Sequence, residues 1–274
     1  MKPFVDTTVT LAERARVLAD MAIVRHVTEA TMRGDVVLHA QPVTSVRNPG
    51  MLLYRECLVR IRRLRTGELV YPGRFVAALE RTGAIQQFDR HMVAMVTDML
   101  RHHVDLRLGV NVSAQSAHLG SWWGEVFEEL ENSPTVAGRL VIEITETAPM
   151  RRGAGHAFAA RAREVGCRIA IDDFDSGHGR ETATALGYSD FVKISAGCLH
   201  GACASGEGRQ VLSELVAHAS GITRDVIVEG VETAEGLEIA RASGARWVQG
   251  FHLGRPVPLW DDVRNPDDDF APIC

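Results

Sequence analysis

The feature that most constrains this chain is a repeated unit: an apolar run rich in Val, Ile and Leu that closes on a polar side chain, then a helical stretch. Eight such runs occur, at 36–43, 51–61, 106–112, 140–145, 168–174, 191–194, 225–231 and 246–251. Helical spacing marks 74–82, 89–102, 123–131, 154–165, 206–219 and 233–242, and Gly83, Gly166, Gly221 and Gly244 stand where glycine stops a helix. Strands that alternate with helices need crossover connections, which build a largely parallel sheet. The first two runs are joined by only a short connection. The Asn48-Pro49-Gly50 stretch there predicts a hairpin, so one strand runs backwards. The expected fold class is α/β, a modified TIM (β/α)8 barrel with one antiparallel strand and an N-terminal helix.

The length of 274 residues suits one such barrel, which needs about 250. Leu11, Ala15, Leu18, Met21, Ala22, Val24 and Val27 fall at helical spacings, so residues 1–34 read as a helical segment. It would cap the barrel or pair with another copy. The barrel domain is expected over 35–260, and 261–274, with Asp267, Asp268 and Asp269 in a row, as an acidic solvated tail.

A net charge of −5 and a pI near 6.1 exclude a broad face for a nucleic-acid polymer, which would need many Lys and Arg. A small anionic ligand in a pocket is compatible with both. Cys57, Cys167, Cys198, Cys203 and Cys274 are odd in number and lack CxxC spacing, as reduced, mostly buried thiols do. The start MKPFVDTTVT lacks a signal-peptide layout, and no apolar run approaches the ~20 residues of a membrane helix. A cytoplasmic protein with no membrane contact is expected.

A strand buried on both faces is normally apolar along its length, so a polar residue near its end calls for a reason. Here the runs carry Glu56, Asn111, Glu143, the pair Asp172 and Asp173, Lys193, Glu229 and Gln249. Singly, each glutamate reads as a cap or surface pair, and Asn111 as the start of a helix. Together they would meet at the C-terminal mouth of the barrel, where barrels of this class carry their active sites. Five carboxylates in one mouth repel and resist desolvation unless protons or cations neutralise them. Carboxylates plus one amide oxygen, with no Cys or His, form a hard oxygen set that favours Mg2+ or Mn2+ over Zn2+. Adjacent aspartates suit a pair of ions with one residue between them, the arrangement for in-line phosphodiester cleavage. Lys193 would orient or deprotonate a metal-bound water, or counter phosphate charge.

The strings QPV (41–43), ECLVR (56–60), NVS (111–113), EITE (143–146), IDDF (171–174), VKI (192–194), EGVET (229–233) and QGF (249–251) resemble the EAL domain of cyclic di-GMP phosphodiesterases. The resemblance keeps order and spacing from about 36 to 258. It implies that Glu56, Asn111, Glu143 and Asp172 hold one metal ion, and Asp172, Asp173 and Glu229 a second. It further implies Lys193 beside the nucleophilic water, Gln41, Arg60 and Gln249 on the dinucleotide, and Glu146 steadying the loop after Asp173. The implied catalytic set is Lys193, Glu56, Asp172 and Asp173. The implied reaction is hydrolysis of cyclic di-GMP to linear pGpG by a homodimer.

Four positions depart from that pattern. Cys57 replaces Ala in the signature triplet and is nearly volume-matched. Ser195 stands where the family carries Asp two residues after the lysine, and a hydroxyl supplies neither negative charge nor a base near pH 7. The loop after Asp173 begins with Asp175 in place of Gly and has His178 in place of Tyr. At Asp175 a left-handed backbone angle would be strained, and the added charge lies close to the metals. Arg180 and Glu181 read as a solvated first helical turn. A sharper reading has Asp175 make up for the acid missing at 195. The departures predict weakened turnover, a weakened second metal and altered dimer control. The alternatives are a catalytically poor domain that acts as a cyclic di-GMP receptor, or a protein-interaction module. His102 and His103 read as a helix-end dipole contact, and Trp122 and Trp123 as a pair with one ring inward.

Overall fold

The computed structural model describes residues 10–120, 122–145, 147–150 and 153–259. Glu146, Cys274 and the acidic tail expected over 261–274 lie outside the described residues.

A helix, α1 (Leu11–Arg33), opens this part of the chain with a reciprocal Thr10–Glu13 capping box and ends at Gly34, whose φ of 75° is the left-handed stop that glycine accepts without strain. Only Asp20, Val27 and Ala30 of α1 are buried, so its first two turns carry Leu11 and Leu18 in the open. The helix lies on α2 (Val76–Thr82), where Asp20 accepts a bidentate pair of bonds from Arg81 at 2.6 and 2.8 Å.

Among the described residues ten strands follow: β1 (Val36–Ser45), β2 (Leu52–Arg62), β3 (Leu69–Val70), β4 (Leu108–Ser113), β5 (Leu140–Thr145), β6 (Arg168–Ile171), β7 (Phe191–Ile194), β8 (Asp225–Val228), β9 (Trp247–Gln249) and β10 (Val257–Pro258). Eight of them close a barrel in the order β1-β9-β8-β7-β6-β5-β4-β2, with β2 pairing back to β1. Its parallel strands are β2 and β4 to β9, whereas β1 is antiparallel to both β2 and β9. The reversed strand is the one the short turn at 48–50 requires. The two-residue strands β3 and β10 flank β2 and β1.

Around the barrel lie α3 (Ile85–His102), α4 (Trp123–Glu131), α5 (Pro134–Ala137), α6 (Gly155–Glu164), α7 (Gly179–Leu186), α8 (Ala196–Ala204), α9 (Gly206–Ser220) and α10 (Ala234–Ala242). The layer between strands and helices is one large apolar cluster that includes Cys57, a buried thiol as expected. Cys57, Cys167, Cys198 and Cys203 are not in disulfides, and burial pushes the Cys167 thiol up to about 12. Both Trp122 and Trp123 are buried, with rings stacked 4.3 Å apart, so the expectation of one inward ring is corrected. Successive side chains on a helical backbone lie only about 100° apart, and Trp122, the helical N-cap of α4, stacks on Trp123 instead of facing solvent.

A second apolar cluster plugs the barrel. Val43, Leu53, Tyr54, Val141, Ala170, Phe191, Ile227 and Trp247 form it, apart from the outer core. In a strand, residues two apart share a face. Two positions beyond Tyr54, Val141, Ala170, Phe191, Ile227 and Trp247 therefore stand Glu56, Glu143, Asp172, Lys193, Glu229 and Gln249, and on the reversed β1 Gln41 stands two positions before Val43. The apolar floor and the polar mouth are thus one periodicity.

Candidate active site

Gly109 completes this layer on β4, two residues before Asn111. A Cβ at Gly109 would stand 2.0 Å from Glu143 Oε1 and 2.7 Å from the Tyr54 ring, so the missing side chain is what admits the Glu143 carboxylate. Gly109→Ala should therefore lower stability by about 1–3 kcal/mol through overpacking and push Glu143 out of place. Thermal unfolding checks this, and an alanine variant as stable as the parent would contradict the packing.

Lys193 Nζ sits at the centre of the mouth, 1% exposed. It lies 3.1 Å from Glu56 Oε2, 2.8 Å from Glu143 Oε2, 3.0 Å from Asp172 Oδ1 and 2.7 Å from Glu229 Oε1. Glu56 is the hub of the amides: Oε1 accepts from Asn111 Nδ2 at 2.7 Å and Oε2 from Gln249 Nε2 at 2.7 Å. Gln249 Nε2 also reaches Gln41 Oε1 at 3.3 Å, and Gln41 Nε2 donates to the Gly254 carbonyl at 3.1 Å. Carboxylate oxygens of Asp172, Asp173 and Glu229 lie within 4.8 Å of one another, close enough to share a cation.

One ammonium cannot balance four carboxylates, and the protonation equilibria show it. Burial pushes Glu143 well above the usual glutamate range, raises Asp172, and takes Glu229 up to about 8, against the pull of Lys193. Burial would also raise Glu56, but Lys193 and the Asn111 and Gln249 amides outweigh it and hold that carboxylate below its ordinary value. Lys193 is held well above the lysine range: burial works against its charge, and Asp172, Glu143, Glu229 and Glu56 more than reverse it. Asn111 Oδ1 and Glu143 Oε1 are buried without a hydrogen-bond partner among the described residues. Buried acceptors left over in a mouth already rich in negative charge fit a bound cation.

Of the residues expected on a dinucleotide, Gln41 and Gln249 join this network. Arg60 stands apart from it: its guanidinium lies 4.5 Å over the Tyr71 ring and donates to the Val59 carbonyl. A cavity of about 320 Å³ opens beside Glu56, Asn111 and Asp172 and runs between apolar walls that include Leu38, Ile85, Phe88 and Met92. Glu146 lies outside the described residues.

The loop after β6 differs from expectation in where its strain falls. The single non-glycine residue with positive φ among those described is Asp173, at 44°, not Asp175. Asp175 instead accepts from both the backbone N–H and the hydroxyl of Ser195, each at 2.7 Å. His178 Nδ1 meets Glu181 Oε2 at 2.9 Å, and Arg180 and Glu181 lie exposed in the first turn of α7, as read from the sequence.

Glu80 and Asp89 were not singled out in the sequence, yet both are buried behind β4. Ser113, two residues past Asn111, donates its hydroxyl to Glu80 at 2.7 Å and its backbone N–H to Asp89 at 3.0 Å. The available signal was an acid on the otherwise apolar face Ile85, Phe88, Met92 and Val96. Burial, with Glu80 adding like charge, pushes the Asp89 carboxyl up to about 7. The folded state thus binds this proton more tightly than the unfolded chain does. Its contribution is full below the unfolded value near 4 and is lost as pH rises through about 7, at most about 4 kcal/mol in all. Denaturation at pH 5 and pH 8 should show Asp89→Asn with a flatter pH dependence than the parent. Parallel curves would contradict it.

The EAL domain sequence profile matches residues 24–256. The chain belongs to the EAL domain family. This EAL domain is 29% identical over 250 residues to the cyclic di-GMP phosphodiesterase NbdA of Pseudomonas aeruginosa, covering 89% of the chain and 32% of that protein. It is 30% identical over 237 residues to the bifunctional diguanylate cyclase/cyclic di-GMP phosphodiesterase MucR of the same organism, covering 84% and 34%. The chain therefore spans about a third of the length of these curated relatives. Among solved structures, the MucR phosphodiesterase in complex with c-di-GMP superposes with a TM-score of 0.73 at 26% identity, covering 88% of this chain and 99% of that one. The Xanthomonas citri FimX EAL domain, 20% identical, shares the fold with a TM-score of 0.70, covering 96% and 100%. No helix among the described residues of the EAL domain is long and apolar enough to cross a membrane.

Proposed function

We propose that this EAL domain hydrolyses one 3′,5′ phosphodiester bond of cyclic di-GMP to linear pGpG, using two divalent ions, Mg2+ or Mn2+. The observation that carries this reading is the charge count at the mouth. Fully ionised, Glu56, Glu143, Asp172, Asp173 and Glu229 would carry five negative charges against the one positive charge of Lys193, an excess of four that two divalent ions would cancel.

In this reading Glu56, Asn111, Glu143 and Asp172 hold one ion, and Asp172, Asp173 and Glu229 the other. When bound, the ions supply Lewis-acid charge at the attacked phosphate and a water of lowered pKa. The side chains do the rest. Gln249 and Asn111 fix Glu56 through its two oxygens, and Asp172 belongs to both ligand sets. Lys193 directs its N–H groups at the attacking water or a phosphate oxygen, and Gln41, Arg60 and Gln249 orient the dinucleotide. The water oxygen bonds to phosphorus as the P–O3′ bond breaks. The 3′ oxygen leaves with a proton, and the second phosphodiester stays intact. Ser195 brings no negative charge to this mouth, which sets turnover below that of a domain with an acid there.

The likeness to NbdA and to the c-di-GMP complex of MucR supports the substrate. Incubation with cyclic di-GMP and Mn2+ or Mg2+, followed by chromatography, should give pGpG that disappears on chelation. Cyclic di-GMP left intact by excess enzyme would end the reading, and tight metal-free binding in that case would replace the enzyme with a receptor. The homodimer expected from the family likeness would appear as twice the chain mass in sedimentation.

A further inference from the structure

We propose that Asp175 is a positioning residue that clamps the loop after β6 to the start of α8 and so fixes the backbone on which Asp173 and Glu229 stand. The inference rests on the reading that Asp172, Asp173 and Glu229 hold a divalent ion.

The clamp has two bonds. Asp175 Oδ1 accepts from the Ser195 backbone N–H and Oδ2 from its hydroxyl, both at 2.7 Å. Ser195 is the N-cap of α8, so the carboxylate also faces the positive end of a nine-residue helix. A neutral side chain at 175 would lose that attraction and at least one of the bonds.

On one side of the clamp lies Asp173, whose φ of 44° is costly for a residue with a Cβ and persists only where its surroundings over-determine it. The Phe174 N–H donates to the Lys193 carbonyl at 3.0 Å, and Ser176 N–H to the Asp173 carbonyl at 3.0 Å. Gly179 packs so closely that a Cβ there would lie 2.8 Å from the Asp173 carbonyl oxygen. Asp175 adds the tie from this loop to the next strand's end.

On the other side, Ala196 packs against Gly230. A Cβ on Gly230 would lie 2.7 Å from the Ala196 Cα, and the Glu229 N–H donates to the Ile194 carbonyl at 3.0 Å. The path Asp173, Asp175, Ser195, Ala196, Gly230 and Glu229 is continuous. It joins the two loops whose carboxylates would share the ion, and Asp175 is the side chain that closes it.

The test uses the full chain and two readouts, Mn2+ affinity by calorimetry and amide exchange at Ser195 and 173–179 in metal-free protein. Asp175→Ala should weaken one Mn2+ by roughly 10- to 100-fold, the range for losing a group that orients a ligand, and should speed exchange of the Ser195 amide. Asp175→Asn, which keeps an acceptor, should recover part of both, and Asp175→Ala with Ser195→Ala should be non-additive because the two share one contact. Mn2+ bound as tightly by Asp175→Ala as by the parent would overturn the inference. A parent that binds no Mn2+ would sink the metal reading instead. The clamp is then decided by exchange: an unchanged Ser195 amide in both Asp175 variants overturns it, and a faster one supports it.

Discussion

Lys193→Met is expected to lower the stability of the metal-free protein by about 3–5 kcal/mol, the usual cost of removing one partner from a buried ionic cluster. Lys193 touches four carboxylates at 2.7 to 3.1 Å, and no other cation reaches them among the described residues. A methionine fills much of the lysine's volume, so the loss measures charge rather than a cavity. Mn2+ should restore much of the lost stability, because it supplies the positive charge the variant lacks. Turnover should fall by roughly 10²- to 10⁴-fold at the same time, as for loss of a positioned proton donor or electrostatic group. Denaturant unfolding with and without Mn2+ checks both halves. A metal-free variant that unfolds at the parent's midpoint would show that the carboxylates do not depend on the ammonium.

Glu56→Gln should reduce cyclic di-GMP hydrolysis roughly a thousandfold or more while leaving the fold intact. The change removes one charge and almost no volume, but the hydrogen-bond sense fails. Glu56 accepts from Asn111 through one oxygen and from Gln249 and Lys193 through the other. A glutamine offers one acceptor and one donor, so in either orientation an NH2 group faces another donor. On the proposed reading, the first ion would lose a charged ligand and the ligand's supports together. The group formed by Asp172, Asp173 and Glu229 does not include residue 56 and should keep its ion. Steady-state kinetics with a metal titration separates these effects. Turnover within tenfold of the parent would remove Glu56 from the mechanism.

The parts of this molecule legible in its sequence are those with a period. Apolar runs closing on Glu56, Asn111, Glu143, Asp172, Lys193, Glu229 and Gln249 announced both strands and mouth, because alternation along a strand fixes which residues share a face. The short connection at 48–50 announced the reversed β1. What escaped lacks a period. The helix α8 reads AGCLHGACA, small residues without an amphipathic stripe, and no helix was expected over 196–204. The runs at 168–174 and 225–231 overreach β6 and β8 by three residues each, because Phe174 and Val231 resume the apolar pattern beyond polar turns in which Asp173 and Gly230 take positive φ. Gly109 carried a signal, a glycine inside a strand, whose meaning depends on the Glu143 carboxylate on the neighbouring β5. The Asp175–Ser195 pair joins two loops 20 residues apart, and its hydrogen bonds follow from the register of β6 on β7, which local pattern does not encode.

The account turns on two ions sharing Asp172. Anomalous diffraction from crystals grown with Mn2+ and cyclic di-GMP tests this most directly. Two peaks are predicted at the barrel mouth, one among Glu56, Asn111, Glu143 and Asp172 and one among Asp172, Asp173 and Glu229. A bound dinucleotide above a mouth with no peak would contradict it.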